Sequence, residues 1–515
     1  MQELQGASWY SACAACTGFI RFNQQEPGGR EVVPIDDIVQ RLRQLNKKLP
    51  VGVMRASDLI LQEAPRKDPP DLSRFIPGKV HSVGEDTCFV SEEFFPYDQF
   101  FGNYHLQSLC NLDAVRLAEV FGLELDQPDG KILFIDTETT GLAGGTGTYA
   151  FMIGVGSLEK EGFLVTQYFM RDFDEEPAQM ALLGEEIKKA ALLVTYNGAT
   201  FDLPLLRTRF VFNRVRIPLS EIPHLDLLPV ARRLWKPAYG AANLSFLESK
   251  VLGSEREGDV PGSLIPHLYF QFLRGASPQT MAPIFYHNRM DIVALAALTE
   301  QACRLHIDPL SASNLWESLG VARYYDSRGN LQKAIEILES VPSPSRWTVE
   351  WHLCSRYLAL LHKRAKNLER AASIWQSAYQ SGFFDPLISI ELAKYFEHTE
   401  KNYGKARELV IEVFSRYNQK PKPLDQFQPD EEETEDDLRY EYIQVRSVRR
   451  RSVTYSTMSD DRDEDDLPII HSDRFDSNEI GDIASCDLPH WTERLERDLN
   501  HRLQRLIRKI EHSRS

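Results

Sequence analysis

The period of apolar and polar positions changes as this chain proceeds. From Lys131 to about His306, short apolar runs alternate with helix-spaced stretches. ILFID, from Ile132 to Asp136, opens with apolar residues in succession and predicts a buried strand. YAFMIGVGSL and FLVTQYFM follow, completing a predicted meander of three strands. MALLGEEIKKA has helical spacing, LLVTYNG returns to strand, and FDLPLLRTRF opens a further helix. HLDLLPVARRLW comes next, then IFYHNRMDIVALAALTEQACRL, which is strongly helical. Mixed strands with crossover helices predict an α/β domain, a mixed sheet flanked by helices.

Beyond Leu315 the strand pattern stops. Aligning GNLQKA, KNLERA and KNYGKA puts Ala334, Ala371 and Ala406 in register, at spacings of 37 and 35 residues. These periods lie near the ~34 residues of a helix–turn–helix unit. Residues 312–420 therefore resemble degenerate tetratricopeptide repeats, with small alanines where paired helices touch. They imply either a stacking core that steadies the α/β domain or a concave surface for a protein partner. Leu495, Leu499, Leu503, Leu506 and Ile510 recover helical spacing in residues 489–515, a helix expected to cap the last repeat with its basic face in solvent.

Residues 1–70 have no readable fold beyond a helix predicted from Asp36 to Lys48. The α/β domain is taken as 71–306, with its motifs in 131–300. In its aromatic lead-in, Phe94, Phe95, Phe100 and Phe101 are expected to cap the core. The formal charge is −16. Residues 421–490 carry 20 Asp and Glu against 8 Lys and Arg, so −12 of it lies there and −4 elsewhere. Charge thus neither demands nor excludes a nucleic-acid partner, and the acidic stretch 421–488 reads as a disordered linker. Seven scattered cysteines fit a reduced, cytoplasmic protein, and Cys13 and Cys16 read as ordinary small residues. No apolar run approaches the ~20 residues of a membrane span.

Candidate chemistry begins at FIDTETTGL. Side chains alternate along a strand, so Asp136 and Glu138 share a face and Thr137 points away. Paired carboxylates repel unless a proton or cation lies between them. A strand end opening into Gly141, Gly144, Gly145 and Gly147 suits a hard divalent metal. In YNGATFD, Asn197 and Gly198 make a turn and Asp202 begins a helix, where a lone Asp would by default be an N-cap. Asn197 either bonds substrate or holds that turn. In HNRMDIVALAAL, His287 and Asp291 lie four apart on one helix face. His224 and Asp226 share a strand face and either border the site or, by default, form a structural hydrogen-bonded pair. Arg207 and Arg209 read as solvated surface.

Residues 131 to about 300 resemble the DEDD exonuclease group of the ribonuclease-H-like superfamily, most closely its YprB-type branch. FIDTETTGL, GGTGTYAFMIGVG, TYNGATFDLPLL, HLDLLPVARRLW, LGSEREGDVPGSLIP and YHNRMDIVAL carry the resemblance. It implies that Asp136, Glu138, Asp202 and Asp291 hold two Mg²⁺ or Mn²⁺ ions, and that DNA or RNA is hydrolysed from the 3′ end. Subgroups of the family place histidine five, or tyrosine four, residues before the last aspartate; here Tyr286 is at minus five and His287 at minus four. Helical geometry favours His287 as the general base, with Tyr286 second. Thr137, Asn197 and Tyr286 are the candidate substrate contacts. The competing readings are a non-catalytic nucleic-acid-binding scaffold with protein-binding repeats, and an endonuclease on branched or hybrid duplexes.

Overall fold

The computed structural model describes residues 70–141, 147–256, 258–417 and 493–513. The expected Asp36–Lys48 helix, the Cys13–Cys16 pair, the acidic segment and residues 142–146 of the glycine-rich loop lie outside the described residues.

The strands are β1 (Lys79–Val83), β2 (Asp86–Pro96), β3 (Phe100–Phe101), β4 (Tyr104–His105), β5 (Lys131–Thr139), β6 (Ala150–Leu158), β7 (Gly162–Phe169), β8 (Ala190–Thr195) and β9 (His224–Asp226). Seven build one sheet in the order β1-β2-β7-β6-β5-β8-β9, and β3 and β4 form a small hairpin. The expected meander is β5-β6-β7, antiparallel throughout; β8 joins β5 in parallel and β9 joins β8 likewise. The sheet is therefore mixed.

The aromatic lead-in does more than cap. Its β2 strand pairs with β7 along Phe89–Pro96 and extends the sheet. Phe101 is buried and Phe95 packs against the core, but Phe94 and Phe100 are 46% and 66% exposed, contrary to expectation. Phe94 falls on the open face of β2, where its ring lies over Gly162, a residue with no side chain to cover it.

Strand β5 is covered on both faces, which is why its sequence is an unbroken apolar run. Leu133 and Ile135 point to one side, against α2 (Glu176–Ile187) and α3 (Asp202–Phe212). Ile132 and Phe134 point to the other, into a core shared with α4 (Leu227–Leu234) and the long helix α6 (Ala282–Ile307). Between them in sequence lies α5 (Ile265–Leu273), and before the meander α1 (Ala114–Phe121). Ile292 to Leu298 of α6 are all fully buried, so this middle stretch of the helix is enclosed on every side. Gly154 lets it approach the sheet: a Cβ there would sit 2.3 Å from Asn288 Oδ1.

The helical region pairs α7 (Leu315–Ser327) with α8 (Leu331–Ser340), α9 (Val349–Arg364) with α10 (Leu368–Gln380), and α11 (Pro386–His398) with α12 (Tyr403–Arg416). Ala334, Ala371 and Ala406 are each fully buried where the helices meet. The asparagine shared by the aligned motifs has its own task. Asn330, Asn367 and Asn402 each cap the second helix of their pair, accepting from Lys333, Arg370 and Lys405 backbone N–H groups. The residue before each cap, Gly329, Lys366 or Lys401, takes a positive φ that closes the turn. The core is continuous from sheet to repeats: Leu319, Val321 and Ala322 share it with Leu234 and Trp235, and Trp235 Nε1 donates to Glu317 at 3.0 Å.

Helix α13 (Glu493–His512) buries Leu499, Leu503 and Leu506 against Val410, Val413 and Phe414 of the last pair. Its basic face is not simply solvated. Arg502, Arg505 and Lys509 all reach the buried carboxylate of Glu397. Among the described residues no helix is long and apolar enough to cross a membrane.

Candidate metal centre

The end of β5 presents Asp136 and Glu138 on the face covered by α6, as the alternation predicts. In register, Asp136 lies opposite Gly154 and Glu138 opposite Met152, with a shift of pairing just beyond Glu138, where Thr139 pairs with Ala150. Helix α6 brings His287 and Asp291 to the same place. One ligand atom each from Glu138, His287 and Asp291 lie within 4.8 Å of one another. His287 Nε2 is 3.4 Å from Asp291 Oδ2, as their four-residue spacing requires.

Asp136 and Asp202 lie outside that trio but within its electrostatic reach. Burial and then the charges of Asp291, Glu138 and Asp202 hold the Asp136 carboxyl well above its usual range. Burial, with Asp291, Asp202 and Asp259, pushes Glu138 up to about 8, although Arg256 pulls against them. Asp202 is raised to about 6, chiefly by burial and against the hydrogen bond from Thr137.

Hydrogen bonds anchor Asp136, Asp202 and Asp291. Asn288 Nδ2 donates to Asp136 Oδ2 at 3.0 Å, and Gln167 Nε2 donates to Asn288 Oδ1 at 2.9 Å, an almost fully buried chain. The cap position of α3 is Phe201, and Asp202 is the first helical residue. Its Oδ1 accepts from the Thr137 hydroxyl at 2.5 Å. Thr137, pointing away from Asp136, thus ties the second acidic motif to the first.

The turn before α3 is held by Asp226, which accepts from the backbone N–H groups of Asn197, Ala199 and Leu228 at 2.8, 3.2 and 3.0 Å. Asn197 has φ 64°, so its place in the turn is evident. The expected pairing of His224 with Asp226 is absent among the described contacts: His224 Nε2 meets Thr195 Oγ1 at 2.8 Å instead. Tyr286 is half-buried against the core. Arg209 is wholly buried rather than solvated, ion-paired to Glu176 and stacked 4.2 Å over Tyr149; Arg207 is exposed.

The residues that sequence reasoning passed over are Arg256, Asp259, Glu248 and the Gln167–Asn288 pair. Arg256 is a buried guanidinium whose Nη2 lies 2.5 Å from both Asp291 Oδ1 and Glu248 Oε2. The segment SEREGD carried only a resemblance to the family; nothing in its periodicity marked Arg256. Asn288, three residues before Asp291 on α6, had the spacing of a site residue.

The donor set fits a divalent cation. Acceptor atoms converge, nearby acids raise one another's affinity for protons, and a hard cation with oxygen ligands is what relieves such crowding. One consequence is measurable. In chelator the folded protein keeps a proton on Glu138 up to about pH 8, while the unfolded chain releases it near the usual 4.5. Between those values the folded state binds more protons, so stability falls as pH rises. Melting temperature without metal should drop by about 3 °C or more over this window, and Mn²⁺ should abolish the drop. A flat profile in chelator would mean that the carboxylates do not crowd.

The RNase H superfamily model matches residues 133–303, from β5 to the last turns of α6. Asp136, Glu138, Asp202 and Asp291 all fall within that match. The uncharacterized protein YprB of Bacillus subtilis (strain 168) is 31% identical over 341 residues, which cover 64% of this chain and 81% of that protein. The chain belongs to the YprB family of the RNase H superfamily.

Proposed function

We propose that this protein is a metal-dependent nuclease that hydrolyses phosphodiester bonds of DNA or RNA, acting as a 3′-to-5′ exonuclease with two divalent cations. The convergence of Glu138, His287 and Asp291, with Asp136 and Asp202 in electrostatic contact, carries the reading. Asp136, Glu138, Asp202 and Asp291 would hold Mg²⁺ or Mn²⁺. Bound there, the cations would make water a nucleophile near neutral pH and offset charge on the departing 3′-oxygen. His287, whose Nε2 lies 3.4 Å from Asp291 Oδ2, would take the proton of the attacking water on a ring nitrogen. Thr137 and Asn288 hold the Asp202 and Asp136 carboxylates in place, and Asn197 and Tyr286 would contact the substrate. Polarity of attack is carried by the family resemblance alone.

Arg256 favours a second reading, a non-catalytic nucleic-acid-binding scaffold whose repeats recruit a protein. It already neutralises Asp291 without any metal. The two are separated by incubating the purified chain with end-labelled single- and double-stranded DNA and RNA plus Mn²⁺. Ladders that shorten from the 3′ end are expected. Internal cuts would indicate an endonuclease, and binding without cleavage the scaffold.

A further inference from the structure

The protonation of the His287 ring is dictated by its neighbours. Nδ1 lies 2.8 Å from Asp259 Oδ1, and Nε2 lies 3.4 Å from Asp291 Oδ2. An ionised carboxylate only accepts, so the shorter contact needs its proton on Nδ1. A neutral ring then carries its lone pair on Nε2, the nitrogen that faces Asp291, in the cluster that also holds Glu138.

Asp259 is itself fixed. Its Oδ2 accepts from Arg256 Nη1 at 3.2 Å, and its Oδ1 also accepts from the Val260 backbone N–H at 2.8 Å. Arg256, whose side chain is 7% exposed, is locked at its other end by Glu248, a carboxylate only 1% exposed. Glu248 accepts a further bond from Ser254 Oγ at 3.0 Å. One guanidinium therefore joins the buried Glu248, the ring's partner Asp259 and the site acid Asp291. The loop that supplies Ser254, Arg256 and Asp259 is held against α6 through these bonds.

We infer that Asp259, steadied by Arg256, is a positioning residue that sets His287 as its Nδ1–H tautomer and aims Nε2 at the Glu138–Asp291 carboxylates. A neutral ring protonated on Nε2 would donate to Asp291 and carry its lone pair on Nδ1, turned away from Asp291. The catalytic consequence rests on the proposed nuclease reading; the tautomer does not. Carboxylate–histidine pairs of this kind recur where a histidine serves a metal site, because the carboxylate decides which nitrogen is free.

The test uses the full chain labelled with ¹⁵N at histidine, in chelator, at a pH where the ring is neutral. The His287 resonances are identified by their loss in His287→Gln. Wild type should show a proton-bearing Nδ1 and a bare Nε2. In Asp259→Ala the carboxylates left beside the ring, Asp291 and Glu138, belong to the metal cluster, with Asp291 at Nε2, so the proton should move to Nε2 while the other histidine signals stay in place. Turnover of the Mn²⁺-loaded variant should fall by about 10²-fold with KM little changed. A wild-type ring protonated on Nε2, or a tautomer unmoved in Asp259→Ala, overturns the inference. The wild-type spectrum decides alone if the variant does not fold. Should the tautomer behave as expected while wild type cleaves nothing, the nuclease reading falls and the positioning role stands. If wild type cleaves but the tautomer is indifferent to Asp259, the positioning role falls and the nuclease reading stands.

Discussion

Asp136→Asn should lower cleavage of end-labelled nucleic acid by at least about 10³-fold, on the scale of losing a group that stabilises transition-state charge. The same change should raise the melting temperature in chelator. Both effects have one cause. Asp136 is buried beside Asp291, Glu138 and Asp202, and their charges hold its carboxyl far above the ordinary range. An isosteric amide removes one of the repelling charges, so the metal-free protein relaxes. Its oxygen can still accept from Asn288 Nδ2, which donates to Asp136 at 3.0 Å, so the buried network with Gln167 survives. A divalent cation loses a charged ligand, however, and a cation that binds only the folded state stabilises it in proportion to its affinity. The gain in melting temperature on adding Mn²⁺, expected in wild type, should therefore shrink or vanish in the variant. Turnover within about tenfold of wild type would remove Asp136 from the reaction. A melting temperature in chelator that falls would show that the carboxylates are not in conflict.

Much of this site is legible in the sequence because it depends on short periods. The two-residue alternation of a strand places Asp136 with Glu138, and the four-residue spacing of a helix places His287 with Asp291; each pair is adjacent in the structure. The repeats are legible for the same reason, since the shared alanine and asparagine do local work in packing and capping. What could not be read depends on partners far apart in sequence. Arg209 looks like a solvated helix residue because its partner Glu176 lies 33 residues away on another helix. Arg256 reaches Asp291 across 35 residues, and Asn288 is gripped by Gln167 from a strand 121 residues earlier. Asp202 reads as an N-cap by default, yet Thr137, 65 residues earlier, claims its carboxylate. Thr137 illustrates the limit well. Alternation correctly turns it away from Asp136, but nothing local could say that the opposite face also serves the site.

Glu397→Gln should destabilise the helical region by about 3 kcal/mol and release α13, because it strips the counter-charge from a cluster of three cations. Glu397 has no exposed side-chain surface. Arg502 Nη1 lies 2.7 Å from its Oε2, and Arg505 Nε and Lys509 Nζ lie 2.7 and 2.8 Å from its Oε1. Burial alone would raise this carboxyl; hydrogen bonds from Arg505 and Lys509 overcome it and bring the group down to about 2. Arg505 is 45% exposed, so water screens its share, and the cost falls toward the lower end for a broken buried pair. The leucines of α13 remain able to pack, but the helix loses the contact that fixes its rotation and register on α11. Limited proteolysis should then cut within 493–512 in the variant under conditions where wild type resists. The pH dependence gives an independent check. A carboxyl lowered by folding contributes stability above its unfolded value near 4.5 and loses that contribution as pH falls toward 2. The gap in unfolding free energy between wild type and Glu397→Gln should be full at neutral pH and close progressively below pH 4.5. A gap that persists to the acid end would assign the effect to altered packing, and equal protease resistance at neutral pH would show that α13 is held by its leucines alone.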